Sequence, residues 1–172
     1  MRQLFRLGAG FAVGLLSAVA VMFIYTPTRA DGSKKSTAPA RGYYLTQDLW
    51  DGSHARDACA EGYHMASLWE IHDTSNVRYE TALGFMQADS GSGPPTGFSA
   101  EGRVRTGAAS SGDTGPGAAN CNAWTSNSSG TVGTTALLST GWSSSEVAIR
   151  ISPWQARLAN CSVNLPVWCV QD

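Results

Sequence analysis

Four cysteines limit the folds that are open to this chain more than any other feature of the sequence. No two of them form a CxxC pair, and none stands with a histidine at zinc-finger spacing, so metal binding through thiols is a weak interpretation. An even number of cysteines predicts two disulfides in an oxidising compartment. Four cysteines allow three pairings, and spacing alone does not select one. The cysteines are Cys59, Cys121, Cys161 and Cys169.

The start of the chain indicates the compartment. Arg2 and Arg6 precede a stretch without charge over residues 7–25, and small residues follow as far as Ala30. This is the three-part pattern of a secretory signal, and we predict cleavage after Ala30. The apolar run is near the lower limit of roughly 17–25 residues for a spanning helix, so an uncleaved membrane anchor is the alternative. In both cases the rest of the chain is predicted to be extracytoplasmic, either secreted or periplasmic.

The charge of the exported part argues against nucleic acid as a partner. Loss of residues 1–30 removes three of the 12 Lys and Arg residues and none of the 13 acids, which leaves a net charge near −4. No basic stripe remains on which a phosphate backbone could bind. Residues 31–42 are polar and contain Lys and Pro, which is typical of a linker. Residues 43–172 then form one domain of ordinary size.

Helices are predicted only in the early part of this domain. Asp51 or Ser53 would cap a helix that runs to Gly62. A capping box formed by Ser67 and Glu70 would open a second helix. The apolar spacing of that helix reaches residue 79, although it fades after residue 74.

Short strands are predicted before and after these helices. The first is the aromatic, β-prone run at residues 42–46, and later ones fall at residues 134–138, 147–151 and 166–170. Residues 84–120 are rich in Gly and Pro and predict a long irregular loop, which is uncommon unless it is functional or mobile. Helices early in the chain and short strands around loops indicate an α+β domain.

Within the loop, residues 102–106 are β-like. Arg103 and Arg105 alternate there and are predicted to share one face, with Val104 pointing inward. A solvated strand face is the simpler interpretation of this pair. Binding of an anionic ligand is the functional one.

The tryptophans divide into two groups. Three fall on predicted helix or strand and are expected in the core: Trp69, Trp124 and Trp168. Three lie nearer to loops, where an exposed indole ring would suit a sugar or a protein partner: Trp50, Trp142 and Trp154. Our candidate ligand-binding residues are therefore Trp142, Trp154, Arg103 and Arg105.

The segment CAEGYHMASLWE, at residues 59–70, resembles the start of a C-type-lectin-like domain. Cys161 and Cys169 are eight residues apart, as the last two cysteines of that family often are, and Trp154 lies a little upstream. The resemblance extends to the endostatin variant of this fold at residues 121–125, 137–138 and 167–170. The segments GRVRTG and NCNAWTSN are similar to those of a bacterial group of exported domains. The resemblance covers residues 43–172. It implies two nested disulfides, Cys59 with Cys169 and Cys121 with Cys161.

The calcium and sugar site of the lectin family is not matched. That site uses a Glu-Pro-Asn or Gln-Pro-Asp triplet, whereas GPGAAN precedes Cys121 here, and Gln155-Ala156 follows Trp154 in place of an Asn-Asp pair. Calcium takes about six to eight oxygen ligands. The acids of the loop are scattered among glycines: Asp89, Glu101 and Asp113. We therefore predict no metal ion and no cofactor.

Three histidines with two acids form the only cluster that suggests catalysis: His54, His64 and His72 with Glu70 and Asp73. A hydrolase needs a nucleophile or metal with an oriented base, and no motif supplies that set. We therefore predict an exported, non-enzymatic binding module for a glycan or a protein. The alternatives are a structural envelope or surface protein and a small secreted hydrolase. The hydrolase would require His64 or His72 to meet a carboxylate in a pocket.

Overall fold

The computed structural model describes residues 40–108, 114–138 and 154–172. The predicted signal over residues 1–30, most of the linker, the strand at residues 147–151, Asp113 and Trp142 lie outside the described residues. Within the described ranges, no helix is long and apolar enough to cross a membrane.

Seven short strands form two sheets in the described part of the chain. The first sheet has the order β2-β7-β1-β3 and consists of β1 (Arg41–Leu45), β2 (Tyr63–Met65), β3 (Val77–Tyr79) and β7 (Trp168–Gln171). The second has the order β4-β5-β6 and consists of β4 (Gly102–Arg103), β5 (Val132–Leu138) and β6 (Trp154–Asn160). All pairings are antiparallel except that of β1 with β3. With the helices α1 (Leu68–His72) and α2 (Cys121–Trp124), the predicted α+β class is confirmed.

The core lies where the two sheets meet. Trp168 on β7 is completely buried, and its indole N–H donates to the carbonyl oxygen of Ala136 on β5 at 2.9 Å. Tyr43 on β1 stacks on the Trp168 ring with their centroids 6.1 Å apart. Strand β1 lies between β7 and β3, and its residues after Gly42 are buried on both faces of the sheet. This explains why its sequence is continuously apolar instead of alternating.

Both disulfides form with the nested pairing that the resemblance implied. Cys59 bonds Cys169 with their Cα atoms 5.7 Å apart, and Cys121 bonds Cys161 with their Cα atoms 5.6 Å apart. The outer bond joins the segment before β2 to the final strand. The inner bond joins α2 to the residue that follows β6. Two disulfides indicate an oxidising, extracytoplasmic environment.

The prediction of a first helix, capped by Asp51 or Ser53, is wrong. Only the 3₁₀ turn Ala55–Asp57 is present between Asp51 and Gly62. The Asp51 carboxylate accepts bonds from the N–H groups of Ser53 and His54 and from the Ser53 hydroxyl. This local side-chain turn competes with a regular helix and holds the segment in a tight loop.

The second predicted helix begins as expected but is shorter. The capping box is present, since the Ser67 hydroxyl accepts from the Glu70 N–H and the Glu70 carboxylate accepts from the Ser67 N–H. The helix ends at His72 because Asp73 is extended and its carboxylate accepts from the Ser75 N–H. The continuation toward residue 79 is wrong, since residues 77–79 form β3.

The helix α2 is a left-handed turn. Its four residues have φ angles between 50° and 62°, and none of them is glycine. Such a conformation costs L-residues roughly 1–2 kcal/mol each. The turn is held because the Asn120 side chain accepts from the Ala123 N–H at 3.0 Å, and because Cys121 and Trp124 are both buried.

This strain gives a prediction for Ala123, which is exposed and has a φ of 56°. Ala123→Gly should raise the free energy of unfolding by about 0.5–1 kcal/mol, because glycine adopts this region without a steric cost. Denaturant unfolding followed by tryptophan fluorescence measures the change. Ala82→Gly is the matched control at an exposed position that is not among those with positive φ, and it should destabilise. Equal destabilisation by both variants would refute the strain.

Candidate functional site

An open apolar groove lies between α1 and the three-stranded sheet, with a volume of about 270 Å³. We call it the Trp69 groove. Helix α1, the loop that leads to α2, and strands β5 and β6 all contribute to its lining. The lining residues are Leu68, Trp69, Ile71, His72, Thr106, Gly117, Ala136, Trp154, Gln155 and Ala156. Most of these side chains are apolar, so the groove suits an apolar group.

Trp69 is the most exposed large apolar side chain of this site. Its ring is 78% exposed, although it belongs to a helix whose Ile71 is buried. The prediction that Trp69 belongs to the core is wrong. A helix of five residues buries only one narrow face against the sheet, and Trp69 does not lie on that face. The predictions for Trp124 and Trp168 are confirmed, since both are buried.

The backbone beneath Trp69 is fixed from two sides. The capping box at Ser67 and Glu70 closes the start of α1. The Leu68 N–H donates to the Arg105 carbonyl oxygen at 2.9 Å, which attaches the helix to the loop segment. Trp69 is therefore a large exposed ring on a rigid support, an arrangement typical of binding hot spots.

Trp154, a predicted ligand-binding residue, forms a wall of the groove. It is only 7% exposed, and its ring packs edge-on against Trp168 with their centroids 5.0 Å apart. Its indole N–H has no acceptor among the described residues. Trp154 can therefore offer a ligand only a small part of its ring. A role for it in binding stays a prediction.

Arg103 does not share an exposed face with Arg105, and that prediction is wrong. Arg103 is completely buried and donates to the carbonyl oxygens of Asn160 at 3.0 Å and Val163 at 2.6 Å. Burial lowers the pKa of its guanidinium to about 10, so it stays protonated at neutral pH. The strand β4 ends at Arg103, and Val104 beyond it is also buried. The alternation expected of a regular strand is lost.

Arg105 is exposed and lines a second cavity, of about 230 Å³, which we call the basic pocket. Arg56, which the sequence analysis did not single out, lines the same cavity. Among the described residues no acidic side chain does so, and the described lining consists of Arg56, Arg105, Thr106, Gly107, Ala108, Asn120, Ala123 and Trp124. Thr106 lines both cavities, so the basic pocket adjoins the Trp69 groove.

No family model, curated protein or solved structure matches this chain. The lectin-like fold stays a prediction. The function must therefore be argued from the site.

His64 lies between the carboxylates of Asp172 and Glu70. It contacts one oxygen of Glu70, and the Ser67 hydroxyl bonds the other. Its Nδ1 lies 2.6 Å from an Asp172 oxygen, and its Nε2 lies 3.0 Å from Oε1 of Glu70. Burial alone would raise the pKa of Glu70, but hydrogen bonds from Ser67 and His64 outweigh it and lower the pKa to about 2. The cluster thus consists of a carboxylate held ionised and a bridging imidazole.

This cluster meets only part of what a hydrolase requires. The Ser67 hydroxyl donates to Glu70 at 2.8 Å, but a carboxylate whose pKa is lowered to about 2 is too weak a base to activate it as a nucleophile. In the described part of the chain, His64 lines neither the Trp69 groove nor the basic pocket. His72 does line the Trp69 groove, but it bonds no carboxylate among the described residues.

The two described acids of the irregular loop, Asp89 and Glu101, do not lie in one cluster. Glu101 lies 3.7 Å from Arg157 and accepts a bond from the Thr135 hydroxyl. Asp89 lines a separate cavity of about 300 Å³. Across residues 40–108, 114–138 and 154–172, no three His, Cys, Asp or Glu side chains form a group that could hold a metal ion. The described acids therefore do not form the calcium site of the lectin family, and the absence of a metal ion stays a prediction.

Proposed function

We propose that this chain is an exported, non-enzymatic binding module of C-type-lectin-like fold, which binds an apolar side chain of a partner protein in the Trp69 groove. The exposed Trp69 ring beside an apolar groove is the observation that carries the proposal. Burying a large aromatic side chain stabilises a complex by roughly 1.5–3 kcal/mol. A fixed backbone limits the entropy that ordering this ring would cost.

The lining of the groove favours a polypeptide over a sugar. Sugar hydroxyls need several convergent polar groups, whereas His72, Thr106 and Gln155 are the only polar side chains among the lining residues. The buried surface is formed instead by residues such as Ile71 and Ala136. An aromatic or aliphatic side chain matches such a wall.

The edge of the sheet also favours a polypeptide. The Cys161 N–H donates to the Thr131 carbonyl oxygen at 3.0 Å. In an antiparallel pair, every second residue directs its main-chain N–H and C=O groups toward the neighbouring strand. Counted from Cys161, Trp154 and Ala156 are among the residues whose main-chain groups point away from β5. Among the described strands none pairs with this edge of β6. An extended peptide could pair there and insert a side chain into the adjoining groove.

Two observations support the lectin-like fold and the export. The disulfides are nested, and β1 pairs with β7, so the first and last strands of the domain are neighbours. The N-terminal secretory pattern agrees with the oxidising environment that the disulfides indicate. Two long-range disulfides also explain how a Gly-rich chain keeps one structure.

The proposal predicts that Trp69→Ala removes ligand binding without unfolding the protein. With N-acetyltryptophanamide as the probe, the dissociation constant should rise at least about tenfold, the equivalent of 1.4 kcal/mol. Stability should change by less than about 0.5 kcal/mol because the ring is exposed. Amide chemical shifts of the oxidised, secreted protein measure the binding, and thermal unfolding measures the stability.

Phe98→Ala is the matched control, since Phe98 is 76% exposed and does not line the groove. It should leave probe binding unchanged. An equal loss in both variants, or shifts that map away from the groove, would contradict the proposal. Binding of methyl glycosides in place of the amide would indicate a glycan ligand. Self-association without probe binding would favour a structural surface protein.

A further inference from the structure

We infer that the partner segment carries a carboxylate close to its apolar side chain, and that the basic pocket formed by Arg56 and Arg105 binds this carboxylate. The inference rests on the proposed function and specifies the class of its ligand. It is an acidic and apolar polypeptide segment that spans two adjoining cavities.

Main-chain hydrogen bonds join the segments that line the two cavities. The Arg105 N–H donates to the Ala66 carbonyl oxygen at 2.8 Å, and the Arg105 carbonyl oxygen accepts from the Leu68 N–H at 2.9 Å. Trp69 follows Leu68 directly. The exposed indole and the exposed guanidinium therefore project from two segments that these bonds fix to each other, and Thr106 lines both cavities between them.

The arginines of the basic pocket differ from the others in the described part of the chain. Three exposed or half-exposed arginines form ion pairs with glutamates, and these are Arg41, Arg78 and Arg157. Arg103 is buried and bonds carbonyl oxygens. Within the described residues, Arg56 and Arg105 alone have no side-chain partner.

The chemistry of an unpaired arginine pair selects the ligand. Each guanidinium offers a planar fork of donors that matches the two oxygens of a carboxylate. Among the residues that the structure describes, no acidic side chain lines the pocket to compete for them. The exported chain has a net charge near −4, so this pocket is a local positive site on an acidic protein. A side-chain or C-terminal carboxylate of the partner that binds in this pocket would meet guanidinium donors.

A comparison of two probes tests the inference. N-acetyltryptophan and N-acetyltryptophanamide share the indole ring and differ by a carboxylate. We expect the acid to bind the oxidised, secreted protein about 3–10-fold more tightly at low salt, with shifts at the Arg105 guanidinium N–H. This preference should decrease as salt is added. It should also disappear in Arg105→Gln and fall in Arg56→Gln.

The control removes a surface arginine elsewhere. Arg78→Gln should keep the preference for the acid, because Arg78 pairs with Glu80 and lines neither cavity. Equal binding of acid and amide in the wild type would overturn the carboxylate site and leave the Trp69 groove intact. Failure of both probes would overturn the proposed function itself. An equal loss of preference in Arg78→Gln would reduce the effect to overall charge and overturn the site.

Discussion

Arg103→Met should lower the free energy of unfolding by about 2–4 kcal/mol, because three part-buried carbonyl oxygens lose a charged donor. Arg103 is completely buried and bonds Val163, Asn160 and, at 3.4 Å, the carbonyl oxygen of Trp50. It thus holds the segment before the first 3₁₀ turn against the turn that follows β6. Methionine fills much of the same space but donates no hydrogen bond.

The opposing effect is the cost of burying the charge. Replacement of a buried ionic group by an apolar one is sometimes neutral, because the charge no longer has to leave water. Here the carbonyl partners come from separate segments of the backbone, which the Arg103 side chain joins. We therefore expect the loss of hydrogen bonds to exceed the gain.

Denaturant unfolding followed by tryptophan fluorescence measures the effect. Arg105→Met is the matched control, since Arg105 is two residues away and exposed, and it should change stability by less than about 0.5 kcal/mol. Arg103→Lys should also destabilise, because one ammonium group does not reproduce the planar fork of donors. Wild-type stability in Arg103→Met would show that the carbonyl oxygens find other donors.

Loss of the outer disulfide should have a still larger effect. Cys59 and Cys169 are 110 residues apart in sequence. In the chain-entropy model, a disulfide that closes a loop of this size raises the free energy of unfolding by about 5 kcal/mol. Small domains have total stabilities of about 5–15 kcal/mol. The double variant Cys59→Ala with Cys169→Ala should therefore be marginally folded, with an unfolding midpoint at much lower denaturant.

The inner disulfide provides the comparison. Cys121 and Cys161 are 40 residues apart, for which the same model gives about 4 kcal/mol. Removing it also frees the left-handed turn that begins at Cys121. Peptide mapping without reduction should recover both bonds from the wild type. Changes below about 1 kcal/mol in both double variants would contradict the role of the bonds in stability, and a Cys59–Cys121 peptide would contradict the pairing.

Local signals in the sequence predicted the parts of the fold that depend on neighbouring residues. The capping box at Ser67 and Glu70, the first strand and the final strand all follow from such signals. The helix lengths do not, because Asp51 and Asp73 bond nearby main-chain N–H groups and end regular structure. The strand β6 was missed because it is exposed along most of its length and lacks an apolar pattern.

The candidate site depends on distant contacts and was therefore largely missed. The burial of Arg103 requires carbonyl oxygens of residues 50, 160 and 163, which no local pattern brings together. The exposure of Trp69 follows from the shortness of α1, which in turn depends on Asp73. Arg105 was a candidate from the sequence, but its neighbour Arg56 comes from a separate segment.

The most direct test of the Trp69 groove is a selection of phage-displayed peptides on the oxidised protein, run in parallel on Trp69→Ala and Phe98→Ala. If the groove binds a partner segment, the wild type and Phe98→Ala should enrich the same peptides, with an apolar residue close to an acidic one. Trp69→Ala should enrich none of them. Enrichment of those peptides on Trp69→Ala, or of no peptide on any of the three proteins, would contradict a binding module that acts through this groove.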